Sequence, residues 1–263
     1  MTGNEIILRP VHPNVGIEAE YRKKLKRLIS DMQASIVYWL SARYKATGLA
    51  QDDAKTPAND LQDAMNDLAE QWQSKFDIGA ESLAAWFAKK TKNYADGSMQ
   101  RILKDAGFSV EFKMTASMVD AYQAVIHENV GLIRSIASQH LQEVQGLVMR
   151  SVQQGRNLGE LSDELIKRYG ITKRRAALIS RDQSNKATAA INRVRQKEIG
   201  VTQAKWKHSH AGKVPRPEHV RFDGDLYDIE KGMWSEVAGK YIWPGTEISC
   251  RCTSQPVIKG FIA

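Results

Sequence analysis

"TASMVDAYQAVIHENVGLIRSIASQHLQEVQGLVMRSVQQ", residues 115–154, decides the fold class. Val119, Tyr122, Ile126, Val130, Ile133, Ala137, Leu141, Val144 and Val148 recur every three or four positions. That period lays one apolar stripe along a single long helix and leaves the opposite face polar, so packing is expected on one side only. Gly155 stops the run, and "NLGELSDELIKRYG" (157–170) reads as a short helix, with Asn157 as cap and Gly170 as stop. A further helix follows over 171–200, capped by Thr172 and ended by Gly200. Upstream, 18–46 reads as a helix and "TGLAQDDAKTPAND" (47–60) as a loop. Residues 60–94 carry Leu61, Met65, Leu68, Trp72, Phe76, Leu83, Trp86 and Phe87 at helical spacing. "ADGSMQRILKDAGFSVEF" (95–112) then predicts a turn, a short helix closed near Gly107 and a brief extended piece.

The texture changes after Gly200. "VTQAKWKHSH" (201–210) alternates as a strand does, and turn-rich segments follow it. "WPGTEISCRCTSQPVI" (243–258) reads as a turn feeding a last strand that contains both cysteines. The expected fold is mostly α, an elongated helical body with a small C-terminal α+β module. Three consecutive regions are expected: a helical N-terminal part over 1–114, a long-helix body over 115–200, and the module over 201–263.

With 263 residues and 42% apolar side chains, the chain can bury a sizeable core. It has no apolar run long enough to cross a bilayer and no signal-peptide stretch, which predicts a cytoplasmic protein without a membrane partner. Two cysteines cannot build a disulfide framework in a chain of this length. The formal net charge of +8 conceals a local excess: Lys167 to Arg221 holds fifteen Lys and Arg against Asp182, Glu198 and Glu218. Such concentration suits phosphate contact, where each cation releases counterions from a polyanion.

Several constellations in the module could carry chemistry. His208, His210, His219, Cys250 and Cys252 are zinc-type donors. A Cys-x-Cys step along one strand face fits a tetrahedral ion poorly, however, and a disulfide across it would be strained. The spacing favours buried thiols acting as small apolar groups. No cofactor is therefore expected, with zinc as the one metal these donors could hold. A nuclease centre on His219 and Asp223 is the enzyme alternative, although acids in "FDGDLYD" serve equally as turn formers. Trp206, Trp234 and Trp243 could stack on bases but suit the core of so small a module better.

The ordered series "ENVGLI", "RRAALISRDQ", "EIGV", Trp206 on a strand, "PRPEHVRFDG", "WPG" and "CRC" resembles the phage head morphogenesis family, minor head proteins similar to phage Mu F. The resemblance covers roughly 115–257. The family's His-x-x-Leu-Asp-Gly appears as His219, Phe222, Asp223 and Gly224, its Pro-Gly as Pro244 and Gly245, and its Asn-Cys-Arg-Cys as Ser249, Cys250, Arg251 and Cys252. Arg216 keeps part of the family's Asp-x-Arg-Thr-Arg. The family's Ala-Arg-Thr-Glu reads Ser180, Arg181, Asp182 and Gln183, and loss of its Glu weakens acid–base chemistry at that position. The resemblance implies a non-enzymatic, low-copy virion protein inside the head near the portal, present in the host cytoplasm during assembly. Its implied partners are the portal protein, capsid or scaffold protein, and double-stranded DNA bound without sequence preference. The expected DNA contacts are Lys173, Arg174, Arg175, Lys205, Lys207, Arg216 and Arg221. Trp206, His219, Asp223, Gly224, Pro244, Gly245, Cys250, Arg251 and Cys252 are expected to be structural. An adaptor to portal or scaffold without DNA contact is the remaining alternative.

Overall fold

The computed structural model describes residues 5–46, 56–210, 212 and 214–259. Most of the loop expected at 47–60 lies outside them. Four long helices dominate: α1 (Val15–Ala46), α2 (Pro57–Asp105), α3 (Ala116–Gln153) and α4 (Leu158–Glu198). Each start has a side-chain cap. The amides of Ile17, Asn59 and Met118 donate to Asn14, Thr56 and Thr115, and those of Gly159 and Glu160 donate to Asn157. None of the helices among the described residues is long and apolar enough to cross a membrane.

Two expected breaks are absent. The turn at Ala95–Ser98 is helical, because Ala95 and Met99 are buried on either side of it and Asp96 is fixed by Arg195. The stop at Gly170 is also helical, so 157–170 and 171–200 fuse into α4. Leu165, Thr172 and Ala176 continue one buried face through it, and Thr172 is an interior residue, not a cap. The extended piece expected after Gly107 forms no strand. Gly200 does end its helix: at φ 77° it lets the Val201 amide reach back to the Gln196 carbonyl at 2.9 Å.

The described chain divides into two compact units whose boundaries fall inside helices. The helical unit comprises Ala19–Ala84 and Glu128–Ser180. Its α1 buries Tyr21, Leu25, Ile29, Met32, Ile36 and Leu40, a spacing of three and four that matches the helical repeat. Its α3 buries Val130, Ile133, Ala137, Leu141, Val144 and Val148 as expected, but also Asn129, Ile136 and His140. These three flank the apolar stripe and widen it, while Gly131, Ser138 and Gln142 on the opposite face are exposed, as expected. The Tyr21 hydroxyl donates to Asn129 at 2.9 Å, and Arg175 donates to the Ser135 carbonyl and hydroxyl at 3.1 and 2.9 Å.

The second unit contains residues up to Glu18, Ala85–His127, and everything from Arg181 onward. Beyond α4 it carries β2 (Gln203–Lys207), a short helix α5 (Pro217–Arg221), and strands β3 (Leu226–Asp228), β4 (Met233–Ser235), β5 (Lys240–Ile242) and β6 (Thr253–Ile258). A two-residue strand β1 (Ile6–Ile7) from the other end of the sequence joins the same sheet. The order is β1-β6-β2-β3, antiparallel throughout, with Trp206 opposite Ser254 and Ile7 opposite Val257. β4 and β5 form a separate hairpin. Val201, Ala204, Trp206, Phe222, Tyr227, Ile229, Ile242, Cys250 and Cys252 form one buried cluster. Arg195, fully buried, is held by Asp96 at 2.7 and 3.0 Å and by Glu198 at 2.6 Å, as a charge in that position requires.

Candidate functional site

The site is assembled from three short pieces of the module. Helix α5 supplies His219 and is braced at Glu218, which accepts hydrogen bonds from the Ser235 hydroxyl at 2.5 Å and the Glu236 amide at 2.7 Å. Strand β2 supplies Trp206, whose ring meets His219 edge-on at 5.2 Å and Phe222 at 5.2 Å. The segment before β6 supplies Cys250 and Cys252.

That last segment is not the strand expected from sequence: β6 begins only at Thr253. Ser249 adopts a left-handed φ of 59°, and its amide donates to Asp182 on α4 at 2.6 Å. Arg216 donates to the Ile248 carbonyl at 2.8 Å, and the Cys250 amide to Glu247 at 2.9 Å. Gly245, at φ 85°, presses against α4; a Cβ there would stand 3.0 Å from the Ala189 Cβ and 3.2 Å from the Cys252 carbonyl oxygen. The chain therefore curls before β6 and aims both thiols inward. Their sulfurs lie 3.5 Å (Cys250) and 3.8 Å (Cys252) from Nδ1 of His219, and all three residues are buried.

The surroundings favour negative charge on sulfur. Cys250 is pulled well below the usual thiol range by a hydrogen bond from the Cys252 thiol, with further donors in His219 and the amides of Cys252 and Gly245. Cys252 is pushed up, because it holds the shared proton beside that thiolate. The buried indole N–H of Trp206 has no hydrogen-bond partner among the described residues and favours the ionised form of Cys252. His219, Cys250 and Cys252 also line a cleft of about 580 Å³ with His208, Arg181 and Arg216. Among the described residues they are the set of donors close enough together to hold a metal ion, their ligand atoms all lying within 4.8 Å of one another.

The motif residues Trp206, His219, Gly245, Cys250 and Cys252 thus converge in space, in the order in which the sequence presents them. Residues 142–255 match the family described as phage Mu protein F like. Over 255 residues the chain is 27% identical to an uncharacterised protein of Haemophilus influenzae, an alignment covering 95% of this chain and 55% of that protein. The chain therefore spans about half the length of this relative. No solved structure matches it.

Other residues of the matched stretch stand apart from the thiol cluster. Asp223 accepts from the His208 amide at 2.9 Å, meets His210 at 3.1 Å and pairs with Lys207 at 3.2 Å. The His208 amide, helped by His210 and Lys207, pulls its carboxyl down to about 2. With its oxygens so engaged, and Nδ1 of His219 turned to the sulfurs, the two residues of the hydrolase alternative serve separate clusters. Gly224 is left-handed at φ 90° in the turn joining α5 to β3, and its amide donates to Trp206. Pro244 is buried beside Gly245, and Arg251 lines the same cleft as the thiols. Of the tryptophans, Trp206 is core, Trp243 is half-buried with its N–H on the Ile229 carbonyl, and Trp234 is exposed against Tyr241.

The expected DNA contacts fall in both units. Lys173, Arg174 and Arg175 lie in the helical unit, and Lys205, Lys207, Arg216 and Arg221 in the other. Much of the cationic excess has internal partners: Arg168 with Glu143, Lys186 with Asp182, Lys197 with Glu230, Lys207 with Asp223, and the buried Arg195. Lys173 lies over the Tyr169 ring, and exposed Arg221 stands 3.9 Å from Glu218 and Glu236. Sequence reasoning missed Asp182 as the anchor of the cysteine turn. Asp182 sits four residues before Lys186, so it reads as an ordinary helical ion pair, and nothing local marks its partner 67 residues on.

Proposed function

We propose that this protein acts without catalysis as a phage minor head protein, a low-copy virion component inside the head near the portal that assists head assembly and DNA packaging or delivery. The observation that carries this reading is the match of residues 142–255 to the Mu F like family, with His219, Cys250 and Cys252 of its motifs gathered in one buried cluster. The cationic stretch supports sequence-independent contact with DNA, through Lys173, Arg174, Lys205 and Arg221 in particular, with Arg175, Lys207 and Arg216 contributing charge while held by protein partners.

Quantitative mass spectrometry of purified particles, before and after triggered DNA release, tests the placement. Low-copy presence in full heads is expected, and absence from every particle would end it. For the DNA interaction, the triple variant Arg174→Gln, Lys205→Gln, Arg221→Gln should weaken binding to duplex DNA. It should also lower the slope of log affinity against log salt by up to ~2.7, at ~0.9 for each phosphate that is no longer neutralised. Unchanged affinity at every salt concentration removes DNA from the reading. The internal pairing of Arg168, Lys186, Arg195, Lys197 and Lys207 within the cationic stretch favours a second reading, an adaptor to portal or scaffold. Binding of the triple variant to isolated portal rings without nucleic acid would then be its signature.

A further inference from the structure

We propose that His219, Cys250 and Cys252 bind a zinc ion, with its fourth coordination position facing the cleft beside His208. This goes beyond the head-protein reading and does not depend on it. Zinc bound by thiolate at ~2.3 Å and imidazole at ~2.0–2.1 Å in tetrahedral geometry separates a nitrogen from a sulfur ligand by ~3.6 Å. The His219 Nδ1 to sulfur distances of 3.5 and 3.8 Å bracket that edge without any rearrangement. A Cys-x-Cys step fits poorly while both residues lie on a flat strand. Here the left-handed Ser249 and the late start of β6 free the pair from that constraint.

The ring of Trp206 packs edge-on against His219 at 5.2 Å, and its buried indole N–H has no hydrogen-bond partner among the described residues. If the thiols were only small apolar groups, the Trp206 N–H would stay unsatisfied in the core. With Nδ1 facing the sulfurs, His219 would ligate as neutral imidazole carrying its proton on Nε2. Zinc would displace the thiol protons, so binding releases protons to solvent. All three donors line the cleft of about 580 Å³ with His208, Ser209 and Arg216, which leaves room for a water or small anion as fourth ligand.

The test uses the full, untagged chain purified under reducing conditions. Elemental mass spectrometry should find one zinc per chain. After removal of zinc by a chelator, cobalt should bind with a thiolate-to-metal charge-transfer band and the intense visible bands of a tetrahedral centre. Those visible bands should shift on adding azide. Zinc should also slow alkylation of the native thiols, with unchanged helix content by circular dichroism. Cys252→Ser should weaken the charge-transfer band; should it fail to fold, alkylation of the unmodified protein decides the matter alone. Absence of zinc and of a cobalt–thiolate band, with equal alkylation rates, overturns the site. A cobalt spectrum insensitive to azide overturns the open fourth position.

Discussion

Among the described residues two histidines are buried, His140 in the helical unit and His219 in the module, and the contrast between them separates two ways of handling a polar group. His140 has both nitrogens committed to neutral partners: Nδ1 to the Thr172 hydroxyl at 2.9 Å and Nε2 to the Gln33 carbonyl oxygen at 3.1 Å. Its partners come from two other helices, the ring is saturated, and nothing remains for a ligand. His219 has Nδ1 pointed at two sulfurs and an aromatic edge beside it, in the wall of a cleft. Burial alone does not tell a structural histidine from a chemical one. The identity and completeness of its partners do.

The difference should first appear in stability. Trp206 is the largest fully buried side chain and packs on His219, Phe222 and Tyr227. Trp206→Ala should cost about 3–5 kcal/mol, the usual range for removing a buried aromatic. Hydrogen exchange would locate the loss: amides of β2, β3 and β6 should lose protection while those of 128–180 keep it. Loss of protection in both together would mean that the two regions are one cooperative unit and the contrast is only chemical.

Acid should act in the opposite place. Burial, with the Arg168 charge adding to it, lowers the His140 pKa to about 4. The unfolded chain binds a proton near the ordinary value of ~6.5 and the folded one does not, so stability falls as pH drops from ~6.5 toward about 4 and is fully present above ~6.5. The loss is of order 3 kcal/mol, at ~1.4 kcal/mol per unit. Urea unfolding of the full chain at several pH values should show this slope, and His140→Leu should abolish it at a general cost in stability from unpairing Gln33 and Thr172. A slope that survives in the variant would place acid sensitivity elsewhere.

How much of this was legible follows the same division. Regular burial is periodic, so the helices and the apolar face of α3 could be read from spacing. Continuity through Gly97 and Gly170 could not, because glycine ends a helix only when its backbone turns left-handed, and at both places buried neighbours on either side hold the helix straight. The full width of the buried face of α3 was missed since Asn129 and His140 read as polar surface until their partners, at positions 21, 33 and 172, are known. Residue types singled out Trp206, His219 and the two cysteines as one module. Their convergence depends on a left-handed serine and on an aspartate 67 residues away, and neither leaves a local signal. For the same reason the pairing of Ile6–Ile7 with β6 was invisible.

The smallest effects give the comparison its cleanest control, because one substitution changes sign between the regions. Gly131 lies exposed within α3, and a Cβ there would meet nothing within 4 Å. Gly131→Ala should stabilise by about 0.5–1 kcal/mol, since it removes unfolded-state freedom and improves helix propensity. Gly245→Ala adds the same methyl group at φ 85°, against Ala189 and the Cys252 carbonyl, and should destabilise by about 1–3 kcal/mol. Urea midpoints for the two variants measure this directly. The Gly245 variant has a second consequence that a merely local cost would lack. Displacing the Cys252 carbonyl moves the sulfurs away from His219, so cobalt uptake should weaken along with stability. A variant that unfolds more easily yet keeps the full cobalt–thiolate band would show that the turn holds the fold without setting the spacing of the donors.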